Sequence, residues 1–194
     1  MSVSLITYFK ISEGKRAARS LFPHLKLGRC LGSGAYGRVY VDRQDPNKCI
    51  KLFMLYPSEV VATRIVFERL IKEQPWWAAR MYDYAIVLSP KQIDRVRFVE
   101  GDGYVTSKEN AMFCYYRTET LQKIRSTPTN EERVDAWHVL LRRKYHVSHD
   151  DHGLHNTMQN ADGELKVIDF DYRLVFPPHH VAEKNPPKKD RVAA

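Results

Sequence analysis

Three glycines within six positions, Gly32, Gly34 and Gly37, lie between two runs that alternate as strands, Leu25 to Leu31 and Arg38 to Asp42. Glycine accepts tight turns that a Cβ forbids, so the stretch predicts the turn of an antiparallel hairpin. A strand rather than a helix follows the glycines, which excludes the strand–turn–helix unit that binds dinucleotides. Asp45-Pro46-Asn47 supplies the next turn and leads into Cys49 to Phe53, a third antiparallel strand. Pro57 and Ser58 then precede a helical pattern from Glu59 to Ile71, which Pro75 stops. Strand patterns at Tyr82 to Leu88, Val96 to Glu100 and Met112 to Arg117, with a Gly101-Asp102-Gly103 turn, follow in an order of pairing that stays open.

In the second half, Thr129 and Glu132 stand at capping-box spacing, and Val134, Trp137, Leu141 and Tyr145 recur on one helical face. That predicts a helix delivering the chain to His149. Thr157 to Gln159, the Asp162-Gly163 turn and Leu165 to Ile168 predict a hairpin whose exit is Asp169. At the other end, residues 3 to 20 suit a short amphipathic helix through Leu5, Ile6 and Phe9. From Pro177 onward, Pro-Pro pairs among Lys and His predict an extended tail.

With 194 residues, 43% of them hydrophobic, the chain suits one compact domain or two small lobes. Its formal net charge of +8 favours acidic or phosphate-bearing partners without naming one. No zinc-finger, helix-turn-helix or RNA-recognition signature accompanies that charge, so nucleic acid is not the expected partner, and Arg142-Arg143-Lys144 and Lys188-Lys189 read as solvated faces. Cys30, Cys49 and Cys114 form no CxxC pair or disulfide framework. No run approaches the roughly 20 apolar residues a membrane-spanning helix needs, and the opening residues lack a basic leader, so a soluble cytoplasmic protein is expected.

Four motifs carry chemistry. Gly32-Ser33-Gly34-Ala35-Tyr36-Gly37-Arg38-Val39 is a GxGxxGxV stretch whose backbone N–H groups can approach a triphosphate. Cys49-Ile50-Lys51 places a lysine among apolar residues on the third strand. His149-Asp150-Asp151-His152-Gly153-Leu154-His155-Asn156 and Ile168-Asp169-Phe170-Asp171 flank the predicted hairpin. In these four the sequence resembles the protein-kinase superfamily, with Asp151 and Asn156 at the spacing of HRDxxxxN and Asp169-Phe170 at the start of DFG. His146, His149, His152 and His155 recur every three residues, but Gly153 breaks any shared helical face, so a histidine metal site is not the reading adopted.

The resemblance implies an α+β, protein-kinase-like fold: an antiparallel β-sheet N-lobe with one main helix, and a truncated, mostly helical C-lobe holding the catalytic-loop hairpin. The corresponding domains are an N-terminal extension 1–24, an N-lobe 25–120, a minimal C-lobe 121–176 and a basic tail 177–194. It implies ATP and Mg²⁺ as cofactors. Gly32, Ser33, Gly34, Ala35, Tyr36 and Gly37 would cover the phosphates, Val39 and Cys49 would contact adenine, and Lys51 would orient the phosphates. Asp151 would be the base or positioner, Asn156 and Asp169 the metal ligands, and Glu68 the helix partner of Lys51, chosen over Glu59 and Glu73. Lys72 stands where an apolar contact is expected, Asp150 replaces the loop arginine, and Asp171 replaces the DFG glycine. Few residues follow Asp169, and no APE motif is among them. The leading expectation is a minimal Ser/Thr protein kinase of the bacteriophage or effector type, acting on proteins of a bacterial host's cytoplasm, with a partner protein or self-association in place of the missing lobe. The alternatives are a catalytically silent module that binds and inhibits a host protein, and a small-molecule phosphotransferase.

Overall fold

The structure, a computed structural model, describes residues 6–7, 11–33, 37–55, 57–88, 97–100, 103–106 and 112–176. Gly34, Ala35 and Tyr36 of the glycine stretch and the tail from Pro177 lie outside the described residues. The chain divides into two compact units, residues 1–60 with 82–120 and residues 61–81 with 121–194. The helix that follows the third strand, placed with the sheet in the sequence reading, clusters with the second unit.

The first unit contains β1 (Ile6–Thr7), α1 (Ile11–Leu21), β2 (Leu27–Ser33), β3 (Gly37–Asp42), β4 (Lys48–Leu55), β5 (Met81–Leu88), β6 (Arg97–Glu100), β7 (Gly103–Thr106) and β8 (Met112–Glu119). Its main sheet has five strands in the order β2-β3-β4-β8-β5, and β1, β6 and β7 form a smaller sheet. Strands β2, β3, β4 and β8 are successively antiparallel, with Val39 opposite Lys51 and Lys51 opposite Tyr116. This sheet is the α+β arrangement expected of a protein-kinase small lobe. β8 lies between β4 and β5 although β5 precedes it in the chain, which is the pairing order the sequence left open.

Side chains alternate across a strand, so Tyr40, Ile50, Leu52 and Tyr115 share one face. That face is buried with Phe113 and with Ala18 and Phe22 of α1 and the stretch after it. The Phe22 ring stacks on Phe113 at 5.7 Å and meets Tyr115 edge-on at 4.8 Å. Helix α1 therefore occupies 11–21 rather than the predicted 3–20. Ala18 and Phe22 carry its apolar contact, while Ile6 and Thr7 pair as strand with Val99 and Phe98.

Gly37 is required by packing. A Cβ there would meet the Leu52 carbonyl oxygen at 2.3 Å and the Phe53 Cβ at 2.7 Å, both on the paired strand. Gly37→Ala must therefore push β3 off β4. Overpacking of this kind costs about 1–3 kcal/mol, so thermal unfolding should drop by roughly 4–8 °C at the middle of that range. An unchanged melting temperature would show that the strands separate there without cost. At Gly32 a Cβ meets nothing within 4 Å, so the matching Gly32→Ala serves as the control.

The second unit contains α2 (Val60–Glu73), β9 (Gln122–Lys123), α3 (Pro128–Tyr145), β10 (Ser148–His149), β11 (Thr157–Gln159), β12 (Leu165–Val167) and β13 (Leu174–Val175). Among its described residues the two helices hold most of the regular structure, beside five strands of two or three residues. β11 and β12 form the expected hairpin, with Thr157 opposite Val167, and β9 adds to its β11 side. Val167 also bonds the 77–79 segment, its N–H donating to the Trp77 carbonyl at 2.8 Å and its carbonyl accepting from Ala79 N–H at 3.0 Å. Helix α3 is capped by Thr127, not by the predicted Thr129. The Thr127 hydroxyl accepts from Asn130 N–H, and Pro128 fills the first helical turn, where its missing N–H costs nothing. Val134, Leu141 and Tyr145 are buried as predicted, and Trp137 is half-buried. Among the described residues no helix is long and apolar enough to cross a membrane.

Candidate active site

In the first unit, Val39, Lys51 and Tyr116 are cross-strand partners and so project from the face opposite Tyr40 and Ile50. The Lys51 ammonium lies 5.8 Å from the centroids of both the Phe53 and Tyr116 rings, close enough for aromatic faces to steady its charge. Val39 and Cys49 are half-buried, and Gly32 and Ser33 are exposed with open space beside Gly32. Cys49 Sγ is 3.2 Å from Thr118 Oγ1, and burial pushes its thiol up, so it is an uncharged wall residue. Glu59, half-buried, lies near enough to help raise the Cys114 thiol, second to burial itself. Glu68 is exposed on α2 in the second unit, where its neighbour Arg69 pairs with Glu73 at 3.0 Å.

In the second unit the segment from His149 to Asp171 forms one hydrogen-bonded assembly. Asp151 N–H donates to His149 Nδ1 at 3.1 Å, so the His149 proton sits on Nε2 and donates to the Asp169 carbonyl at 3.0 Å. One buried imidazole thereby ties the loop backbone at Asp151 to the backbone at Asp169. Asn156, buried, donates from Nδ2 to the Asp151 carbonyl at 2.6 Å, and its own carbonyl accepts from Ile168 N–H at 2.9 Å. That bond places Asn156 and Asp169 side by side at the open end of the β11–β12 hairpin. Asp169 has φ +62, a left-handed conformation that few residues besides Gly, Asn and Asp adopt readily.

The Asp151 carboxylate is flanked by an imidazole and a guanidinium. His155 Nε2 donates to Oδ1 at 2.8 Å, and Arg173 Nη1 lies 3.8 Å from Oδ2. Partial burial works to raise this carboxyl, but the hydrogen bond and charge of His155, with Asn156 and Arg173, outweigh it and hold it below the ordinary aspartate value. Asp151 is therefore a carboxylate at neutral pH, 47% exposed and able to accept a proton or a hydroxyl hydrogen bond. Arg173 is fixed by Asp171, which accepts from its Nε at 2.9 Å and its backbone N–H at 2.8 Å. The hydrogen bond to Asp171 dominates in raising the Arg173 guanidinium further above its usual value. Neither Arg173 nor His155 was singled out from the sequence as a partner of Asp151. The only signal was spacing, four residues after Asp151 and two after Asp171.

Behind the loop, buried His138 donates from Nε2 to Thr157 Oγ1 at 2.9 Å, and the Thr157 hydroxyl donates to the Gly153 carbonyl at 2.9 Å. Burial, with the neighbouring His152 and His149, pushes His138 down to about 4. Its native pKa thus lies below the unfolded value of about 6.5. Between these values the unfolded chain binds the extra proton, so stability is full above pH 6.5 and falls as pH drops toward 4. The loss is on the order of 3 kcal/mol. His138→Gln should flatten the pH dependence of urea midpoints across that window, and a midpoint curve that stays as steep would assign the effect to another group.

The four loop histidines do different work and do not converge. His146 caps α3 at φ +52, His149 ties the backbone, His152 Nδ1 bonds the His149 carbonyl at 3.2 Å, and His155 holds Asp151. A hard cation fits Asn156 and Asp169 better. Asn156 Nδ2 is spent on Asp151, which leaves the amide oxygen as its coordinating group, and oxygen ligands with phosphate oxygens are what Mg²⁺ takes.

No family model matches this chain. It is similar to Aurora kinase B-A of Xenopus laevis, 29% identical over 165 residues, a match covering 78% of this chain and 41% of that protein. The chain is thus protein-kinase-like in sequence over most of its length, and it spans less than half the length of the curated relative it matches.

Proposed function

We propose that the chain transfers the γ-phosphoryl group of ATP, bound with Mg²⁺, to serine or threonine hydroxyls of cytoplasmic protein substrates. The observation that best supports this is the mounting of Asp151. Its backbone is held on one side by His149 and on the other by Asn156, while its carboxylate stays ionised and half-exposed. Phosphoryl transfer needs chiefly positioning and charge stabilisation, and a fixed carboxylate facing an incoming hydroxyl supplies the first. Asn156 and Asp169 would hold Mg²⁺, which supplies neutralisation of the phosphate charge. Lys51 would orient the phosphates beneath backbone from Gly32 to Gly37, with Val39 and Cys49 against the base.

The test is transfer of labelled γ-phosphate with Mg²⁺, run on the protein alone and with added protein acceptors. Label on serine or threonine with the wild type and none with Asp151→Asn is the expected result. Clear ATP binding without transfer to any acceptor would replace this reading by that of a silent kinase-like binding module. Transfer to a small hydroxylated metabolite and not to protein would replace it by that of a small-molecule phosphotransferase.

A further inference from the structure

On the first unit, away from the Lys51 face, a cavity of about 620 Å³ lies between α1, the start of β2 and the residue after β3. Lys15, Arg19, Lys26 and Arg43 line it, with Leu25, Leu27 and Pro23 as its apolar part, and none of the described lining residues is acidic. Its size is that of a small-molecule site, which typically spans about 300–1,000 Å³.

The four cations are brought together by the fold. Lys15 and Arg19 stand four apart on α1 and so share a helical face, although like charges at that spacing oppose each other. Arg43 N–H donates to the Lys26 carbonyl at 2.8 Å, which holds Arg43 beside Lys26. The two lysines are pre-oriented: Lys15 Nζ donates to the Gly28 carbonyl at 3.1 Å and Lys26 Nζ to the Pro23 carbonyl at 3.3 Å. Each ammonium keeps further donors. Arg19 and Arg43 are exposed and add two planar forks suited to phosphate.

We propose that this cavity binds a small organic oligophosphate. Four positive charges around so little space call for several negative charges on a compact ligand. Phosphate groups in series carry them densely, whereas a peptide must spend a whole residue on each carboxylate. The leucines give an apolar body attached to the phosphates a place to rest. The inference does not depend on the phosphotransfer reading, because none of the lining residues belongs to the Asp151 or Lys51 sites.

Calorimetric titration of the full chain with tripolyphosphate, in EDTA so that no Mg²⁺-dependent site responds, tests it. One-to-one binding is expected, weakening at least tenfold in Arg19→Gln/Arg43→Gln and largely retained in Arg19→Lys/Arg43→Lys. Lys51→Ala should bind as the wild type does. Arg142→Gln/Arg143→Gln, which removes the same net charge from α3, should change affinity less than threefold. Absence of binding by the wild type, equal weakening by the α3 pair, or loss with Lys51→Ala would each overturn the proposal. So would a hexa-aspartate peptide binding as tightly as tripolyphosphate, which would make the site one for acidic peptides. Both arginines are exposed, and an unchanged thermal melt of each variant ties any loss to the cavity rather than to unfolding.

Discussion

Asp151→Asn is expected to lower the rate of phosphoryl transfer by roughly a thousandfold, within the span of about 10²–10⁴ that a positioned acid–base group contributes. Nucleotide affinity should stay within about threefold of the wild type, as expected of a group acting mainly in the transition state. The substitution is clean because the contacts fixing this residue are made to its backbone: His149 Nδ1 accepts from its N–H, and Asn156 donates to its carbonyl. The substitution disturbs the interactions of the carboxylate with His155, Arg173 and Asn156. Asp169→Asn should behave differently and weaken Mg²⁺–ATP binding, since on the proposed reading it replaces a charged ligand of the cation by a neutral one. Single-turnover transfer and equilibrium nucleotide titration, run in parallel on both variants, separate the two roles. Equal loss of nucleotide affinity in both would show that Asp151 binds rather than positions.

What was legible in the sequence is what local chemistry controls. The glycine hairpin, the three leading strands, helix α2 and the β11–β12 hairpin are set by turn residues and periodicity within a few positions of one another. The insertion of β8 between β4 and β5 was not legible, because it is chosen by packing between segments distant in the chain, Phe113 and Tyr115 against Phe22 and Ile50. The cap of α3 moved from Thr129 to Thr127 because Pro128 already suits the first turn, so the hydroxyl that matters lies before the proline. In α1 the apolar pattern at Leu5, Ile6 and Phe9 drew the prediction too far forward, and the sheet took Ile6 instead. At the site, motif spacing located Asp151, Asn156 and Asp169 in the chain. It was silent on the charges around Asp151, since Asp171 was weighed only as a missing glycine. Its carboxylate in fact holds Arg173 beside the loop.

That pair sets the second large expectation. Asp171 and Arg173 are 13% and 17% exposed, so each is mostly withdrawn from water and depends on the other. Removing one member of such a pair leaves an uncompensated buried charge and costs about 3–5 kcal/mol. Arg173→Ala should thus lower the melting temperature by on the order of 10 °C. Removing both members, in Asp171→Ala/Arg173→Ala, takes away the stranded carboxylate too and should recover much of that stability. Activity should not recover with it, because Asp151 still lacks the guanidinium 3.8 Å from its Oδ2. Melting curves and transfer rates for the two singles and the double variant form the cycle that checks this. A double variant that regains transfer along with stability would confine Arg173 to holding the fold. One that regains stability alone would assign it to orienting Asp151, since the loop then stands but the carboxylate has lost its flanking guanidinium.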